Sequence, residues 1–283
     1  FVVAFAIVRD KYGSERSGQM ITYLNGIVCF IPAMAPILGA WLTVQFGWRM
    51  NFMFLTAFAI LGLIVTLFFF RETRPADSHY QGHILDLRRF TPIIKTPVFL
   101  FNSLICMVSM SAILVYVTLA PGWLITHLGG TVADFTFWFT LNAVISIVAS
   151  FILPTYIKRN SQRALRVGVS VLVFSGILML ALSGIETAFA LMLPILIAAL
   201  GFALSLGSAA GMSLSSFPKQ AGTASALLGA MQMSGASILV VLTQYLGLST
   251  PWLIAFHLLL LVPLWLILMS KKAHSLHPAK STQ

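Results

Sequence analysis

Seven carboxylates are the first place to look for chemistry: Asp10, Glu15, Glu72, Asp77, Asp86, Asp134 and Glu186. An intramembrane prenyltransferase needs paired acids to hold Mg²⁺, and a membrane protease needs a Ser/His pair or an HExxH helix holding zinc. Neither pattern occurs, and none of the seven acids falls in the middle of an apolar run. His79 and His83 are four apart, but in a polar stretch where a surface pair outweighs a metal site. His257 is the one ionisable side chain inside an apolar run. That placement makes it a proton-relay candidate by type; with no acid partner, in a peripheral last helix, it reads better as structural. Cys29 and Cys106 lie deep in apolar runs and read as buried small hydrophobes, not as a disulfide or metal pair. No catalytic residue, metal site or cofactor is expected.

What remains is uncharged and polar. Asn25, Asn102, Asn142, Gln232 and Gln244 all sit inside apolar stretches and should face protein or a cavity instead of lipid. Pro32 and Pro36 leave carbonyls unpaired within one such stretch, which is tolerated only against protein or water. Gly222, Ala226, Ala230 and Ser234 recur every four residues, a spacing that lets helix backbones approach closely.

The elements that must position these residues follow from composition. Of 283 residues, 59% are hydrophobic and 8% charged, with a mean hydropathy of +0.95. A soluble domain carries about a quarter charged residues, so a soluble enzyme, a nucleic-acid-binding domain and a disordered chain are excluded. Charges divide the chain into runs long enough to cross about 30 Å of hydrocarbon. Eight full spans are expected, near 19–43, 50–70, 98–121, 135–157, 167–185, 187–214, 221–247 and 251–269, the last two separated by the turn Gly247–Pro251. Residues 1–8 are apolar but too short to span, and are expected to be the end of a helix that begins upstream.

Topology follows from the basic residues. The formal charge is +10, and of 17 Lys and Arg all but Arg49 fall on one side of this arrangement. Positive loops stay cytoplasmic, so the C-terminus is expected there, with anionic lipids facing the basic loops. The excess charge reports topology and not a nucleic-acid partner. Residues 71–97 form the longest connection, a cytoplasmic linker with a possible short amphipathic helix near 84–90. It separates residues 1–70 from a six-helix bundle over 98–270 and a tail over 271–283. Six helices after a long loop fit the second half of a duplicated transporter. Moving the C-terminal region back by 203 positions sets Lys219 on Arg16, Leu227 on Leu24 and Gly229 on Gly26.

Several segments resemble the major facilitator superfamily, in its drug:proton antiporter branch and the Bcr/CflA group. They are Val2–Asp10; Leu24-Asn25-Gly26 through Pro32 to Pro36 and Gly39; Trp48-Arg49 with Phe52; Glu72–Pro75; and Pro218–Ala226 followed by Gly229, Gln232 and Gly235. The resemblance implies an all-α polytopic membrane protein with a partial major facilitator fold: helices five to twelve, plus the end of helix four. It makes Gly26, Pro32, Pro36 and Gly39 the antiporter motif of helix five, and gives Arg9, Asp10 and Gly222 gating or latch roles. Asn25, Asn102, Asn142 and Gln232 become candidate cavity-lining residues. The implied activity is proton-coupled drug efflux across the bacterial inner membrane, of amphenicol-like or other amphipathic drugs, by a monomer driven by the proton gradient. The coupling acid is expected on helix one. An uptake symporter is the nearest alternative, against which the helix-five motif argues. A non-transporting scaffold would leave the intramembrane Pro, Asn and Gln without a purpose.

Overall fold

A computed structural model of the chain describes residues 35, 38–39, 41–69, 90–217 and 221–270, with the backbone alone at 150, 151, 154–159 and 221. Arg9, Asp10, Asn25, Gly26, Pro32, Pro36 and Cys29 therefore lie outside the described residues, as do most of the linker and the tail. The chain divides into two compact units, Phe1–Ile84 and Leu85–Gln283. Among the described residues there is no strand, and seven helices are long and apolar enough to cross a membrane. They correspond to all the expected spans except 19–43, most of which is not described.

In the first unit, α1 (Arg49–Phe69) has 21 residues and buries none of them. At about 1.5 Å per residue its length matches the hydrocarbon thickness. Gly47, with φ +83°, reverses the chain ahead of it. Asn51 Nδ2 on α1 donates to Thr43 Oγ1 at 2.6 Å, and Thr43 donates to the Gly39 carbonyl at 2.8 Å. A Cβ added at Gly39 would meet only Asn51 Oδ1, at an ordinary 3.7 Å. Among the described residues, then, Gly39 is held by its carbonyl and not by a tight helix crossing.

The second unit opens with the short α2 (Thr91–Ile94), followed by α3 (Pro97–Pro121), whose axis continues as a π-helical turn over Gly122–His127. Next come α4 (Val132–Arg159), α5 (Ser161–Leu182) and α6 (Ala188–Ser215). The following span is α7 (Ala221–Ala230), a π turn over Met231–Gly235, and α8 (Ala236–Gln244). Last come α9 (Thr250–Leu259) and α10 (Val262–Met269). The spans alternate in direction. Phe99 near the start of α3 meets Phe217 beyond the end of α6, ring centroids 5.8 Å apart. At the opposite end, His127 lies 3.4 Å from Glu186 in the α5–α6 connection.

Local sequence explains most boundaries. Thr131 and Asp134 cap α4 reciprocally: the Thr131 N–H donates to Asp134 Oδ2 at 2.8 Å and the Asp134 N–H to Thr131 Oγ1 at 3.1 Å. Asn160 and Thr187 cap α5 and α6. The cap at Asn160 starts α5 six residues earlier than expected, placing Arg163 and Arg166 in its first turns. Gly247, at φ +64°, ends the seventh span as the turn signal implied, and Pro251 sits in the first turn of α9.

Two expectations are corrected. The last span is not one helix: it breaks between Leu259 and Val262, ahead of Pro263. The small-residue stripe Gly222, Ala226, Ala230 and Ser234 is exposed in the bundle, and that span packs instead through Ala224, Leu228, Ala236, Val240 and Thr243. Among the described residues, a close backbone crossing lies instead between α5 and α6. There a Cβ at Gly168 would come within 2.7 Å of the Ser205 nitrogen, and one at Gly201 within 3.0 Å of the Gly168 carbonyl.

Candidate functional site

Helix α3 is buried on nearly every side and packs against α6, the π turn at 231–235, α8 and α9. A fully apolar sequence would suffice for a central helix in lipid, so its polar residues need a reason. Most fall on two faces; buried Ser103 lies between them, 3.5 Å from Ser213 Oγ of α6. Asn102, Ser109 and Tyr116 recur every seven residues, which keeps them within about 40° of one another round the helix. Ser111 lies about 160° from Ser109.

The Ser111 face is satisfied. His257 Nδ1 lies 2.8 Å from Ser111 Oγ and its Nε2 lies 2.7 Å from Thr243 Oγ1. Ser111 Oγ is also 2.7 Å from the Val108 carbonyl, and Thr243 Oγ1 is 2.9 Å from that of Leu239. The imidazole is fully buried. His257, expected in a peripheral last helix with no acid partner, has hydroxyl partners, on α3 and α8.

On the other face, polar atoms are buried and unpaired. Asn102 donates through Nδ2 to the Val98 carbonyl at 2.8 Å, but among the described residues its Oδ1 has no partner, nor do Ser109 Oγ and Tyr116 Oη. The Tyr116 ring stacks on Phe139 of α4, centroids 5.9 Å apart and 17° from parallel. Phe139 in turn touches Phe135 at 5.4 Å. Asn142 follows one turn later on that face of α4, half-buried, with its Oδ1 also unpaired. Leaving a buried acceptor unpaired costs about 1–3 kcal/mol; among the described residues α3 and α4 carry several such atoms, and Ser175 on α5 and Ser208 on α6 carry one each.

Of the remaining candidates, Gln232 is half-buried in the π turn that packs on α3. Gly222 is exposed on α7, and among the described residues a Cβ there meets nothing within 4 Å. No hydrogen bond joins Asn102, Asn142 and Gln232 to one another among the described residues, and they do not form a cluster. Sequence reasoning missed Ser109, Tyr116 and Phe139. The seven-residue repeat in α3 was the available signal. Chemically the stripe offers neutral donors and acceptors between aromatic and aliphatic walls. It carries no acid to titrate and, among the described residues, no group of three or more His, Cys, Asp or Glu gathers anywhere. Cys106 is free and buried, as a small hydrophobe should be.

Central helix, alternating spans and neutral polar stripe fit one half of a duplicated transporter, and a sequence profile decides the matter: that of the Major Facilitator Superfamily matches residues 1–240. The chain belongs to the major facilitator superfamily. Its second unit is accordingly part of a major facilitator fold in a multi-pass membrane protein. The chain is 32% identical over 255 residues to the multidrug resistance protein MdtL of Klebsiella pneumoniae (strain 342), covering 88% of this chain and 62% of that protein. To the MdtL proteins of Salmonella heidelberg (strain SL476) and Salmonella paratyphi A (strain ATCC 9150 / SARB42) it is 32% and 33% identical, with the same coverage. The chain thus spans 62% of the length of these curated relatives.

Proposed function

We propose that this major facilitator chain works in drug:proton antiport across the bacterial inner membrane, exporting amphipathic, apolar or cationic drugs, amphenicols among them. It is a transporter and not an enzyme. The observation that carries the reading is the unpaired stripe Asn102, Ser109 and Tyr116 on the central helix, with the Tyr116–Phe139 stack beside it. Neutral hydrogen-bonding groups in an aromatic setting suit molecules that share an apolar body and differ in their polar groups. The printed name of the MdtL relatives, multidrug resistance protein, supports the same substrate class.

In this reading the two bundles rock about a midplane site. Asn102, Asn142 and Gln232 tune which drug is preferred and carry no proton, because none of them titrates. Coupling is assigned to the helix-one acid that the family resemblance implies, and Gly26, Pro32, Pro36 and Gly39 to limiting leak through helix five. The basic loops and the C-terminus lie in the cytoplasm, against anionic lipid, and the transporter acts as a monomer.

Drug accumulation in efflux-deficient cells, with and without an uncoupler, tests the reading. Lower accumulation that the uncoupler abolishes is the expected result. Accumulation that rises on expression points to uptake and contradicts it; no change points to a scaffold and contradicts it as well.

A further inference from the structure

The Ser111–His257–Thr243 chain is not used by the export reading, yet it is the most completely built polar feature of the bundle. It joins three helices by contacts of 2.7 and 2.8 Å: Ser111 on α3, His257 on α9 and Thr243 on α8. A neutral imidazole supplies one N–H and each hydroxyl one O–H, so three protons serve four links, counting those to the Val108 and Leu239 carbonyls. With Nδ1 protonated, the ring donates to Ser111 and accepts from Thr243. With Nε2 protonated, it donates to Thr243 and accepts from Ser111. Either tautomer ties both neighbours to α9 without any charge.

Charge is also what the surroundings lack. On α3 the titratable groups are Cys106 and Tyr116; α8 has none and α9 has only His257. On α5, which also packs on α9, Arg163 and Arg166 sit in the first turns. No described acid faces the ring to balance an imidazolium, and burying an uncompensated charge is far costlier than burying a hydrogen-bonded neutral ring.

What the tie holds matters for the site. The span 221–244 is gripped by different neighbours in its two halves: α7 packs on α6, whereas the π turn and α8 pack on α3. Within the π turn, Gly235 lies so close to α3 that an added Cβ would come within 2.6 Å of Met107 Sδ. Gln232 is in the same turn. Ser111 lies one turn beyond Met107 on α3, and Thr243 lies two turns beyond Gly235. We infer that His257 is a positioning residue: through Ser111 and Thr243 it clamps α8 to α3 and thereby sets where the π turn presents Gln232. The inference rests on the export reading only for what Gln232 does there.

Disulfide crosslinking in membranes tests it independently of transport. Met107→Cys and Gly235→Cys, combined with Cys29→Ala and Cys106→Ala, place two thiols across the clamped seam. The pair should crosslink rapidly with His257 present. Thr243→Val keeps the side-chain shape while deleting one arm, and should slow crosslinking about fivefold or more; His257→Phe should slow it further. His257→Gln keeps a donor and an acceptor near the reach of Nε2 and should restore most of the rate. The Thr243→Val change, made without the cysteines, should also reorder drug preference while leaving the pH profile of export as in the parent. Wild-type crosslinking in Thr243→Val at parental membrane levels overturns the inference. So does a pH profile displaced by His257→Gln, which would make the ring a proton carrier. Crosslinking that follows the expected order in a protein exporting no drug upholds the clamp and removes the export reading instead.

Discussion

On one face of α3, Ser111 is joined to His257 and through it to Thr243, each polar atom within 2.9 Å of a partner. About 160° round the same helix, Asn102 Oδ1, Ser109 Oγ and Tyr116 Oη are equally buried and have none among the described residues. Residue type does not separate the two faces, since both use small neutral polar side chains. Pairing does. Where lipid gives helices no hydrophobic reason to associate, a completed hydrogen-bond chain is a fastening. A row of incomplete ones is a liability unless something else completes it, and the export proposal assigns that part to the drug.

The largest expected effect breaks the fastened face. His257→Leu removes both links and should lower unfolding free energy by about 2–3 kcal/mol, read by thermal unfolding in detergent. Next comes the open face. Asn102→Leu removes an unpaired Oδ1 together with the one local Nδ2 bond to the Val98 carbonyl and puts an apolar group of similar size there, so stability should change by less than about 1 kcal/mol, while drug affinity falls about tenfold. Equilibrium binding and melting temperature, measured on the same sample, check both halves of that statement. If Asn102→Leu destabilised as much as His257→Leu, the distinction between the faces would fail.

Moving outward to the end of the bundle that carries the α4 cap shows what pairing is worth nearer water. Thr131→Ala deletes one side of the cap of α4 and should cost about 1 kcal/mol, seen as faster amide exchange in its first turn. Smallest of all, His127→Ala removes an exposed contact with Glu186 at 3.4 Å, in which His127 also stacks on Trp123 at 3.9 Å. The loss should stay under about 0.5 kcal/mol and shrink with added salt, as melting at low and high ionic strength would record.

Much of this was legible in the chain itself. Charged residues interrupt apolar runs where helices leave the membrane, and Gly247 with Pro251 marks a turn by its chemistry. Asn102 and Asn142 announce themselves as carboxamides inside apolar runs. Facing was the harder matter. In water an apolar stripe shows which side of a helix is buried, but in lipid the outside is apolar too. Hence Gly222, Ala226, Ala230 and Ser234 looked like a packing stripe and are exposed in the bundle, while Gly168 and Gly201, on separate helices, make the close crossing. The π turns at Gly122–His127 and Met231–Gly235 carry no signature that separates them from ordinary helix. His257 looked partnerless because its partners lie 146 and 14 residues away and are hydroxyls. A search for acids does not find them.

The central claim is that the unpaired face of α3 receives the drug. Equilibrium drug binding by the Asn102→Leu transporter, compared with the parent at matched stability, tests it most directly. The account predicts an affinity about tenfold weaker with an unchanged melting temperature. Parental affinity in a protein that melts where the parent does would contradict it.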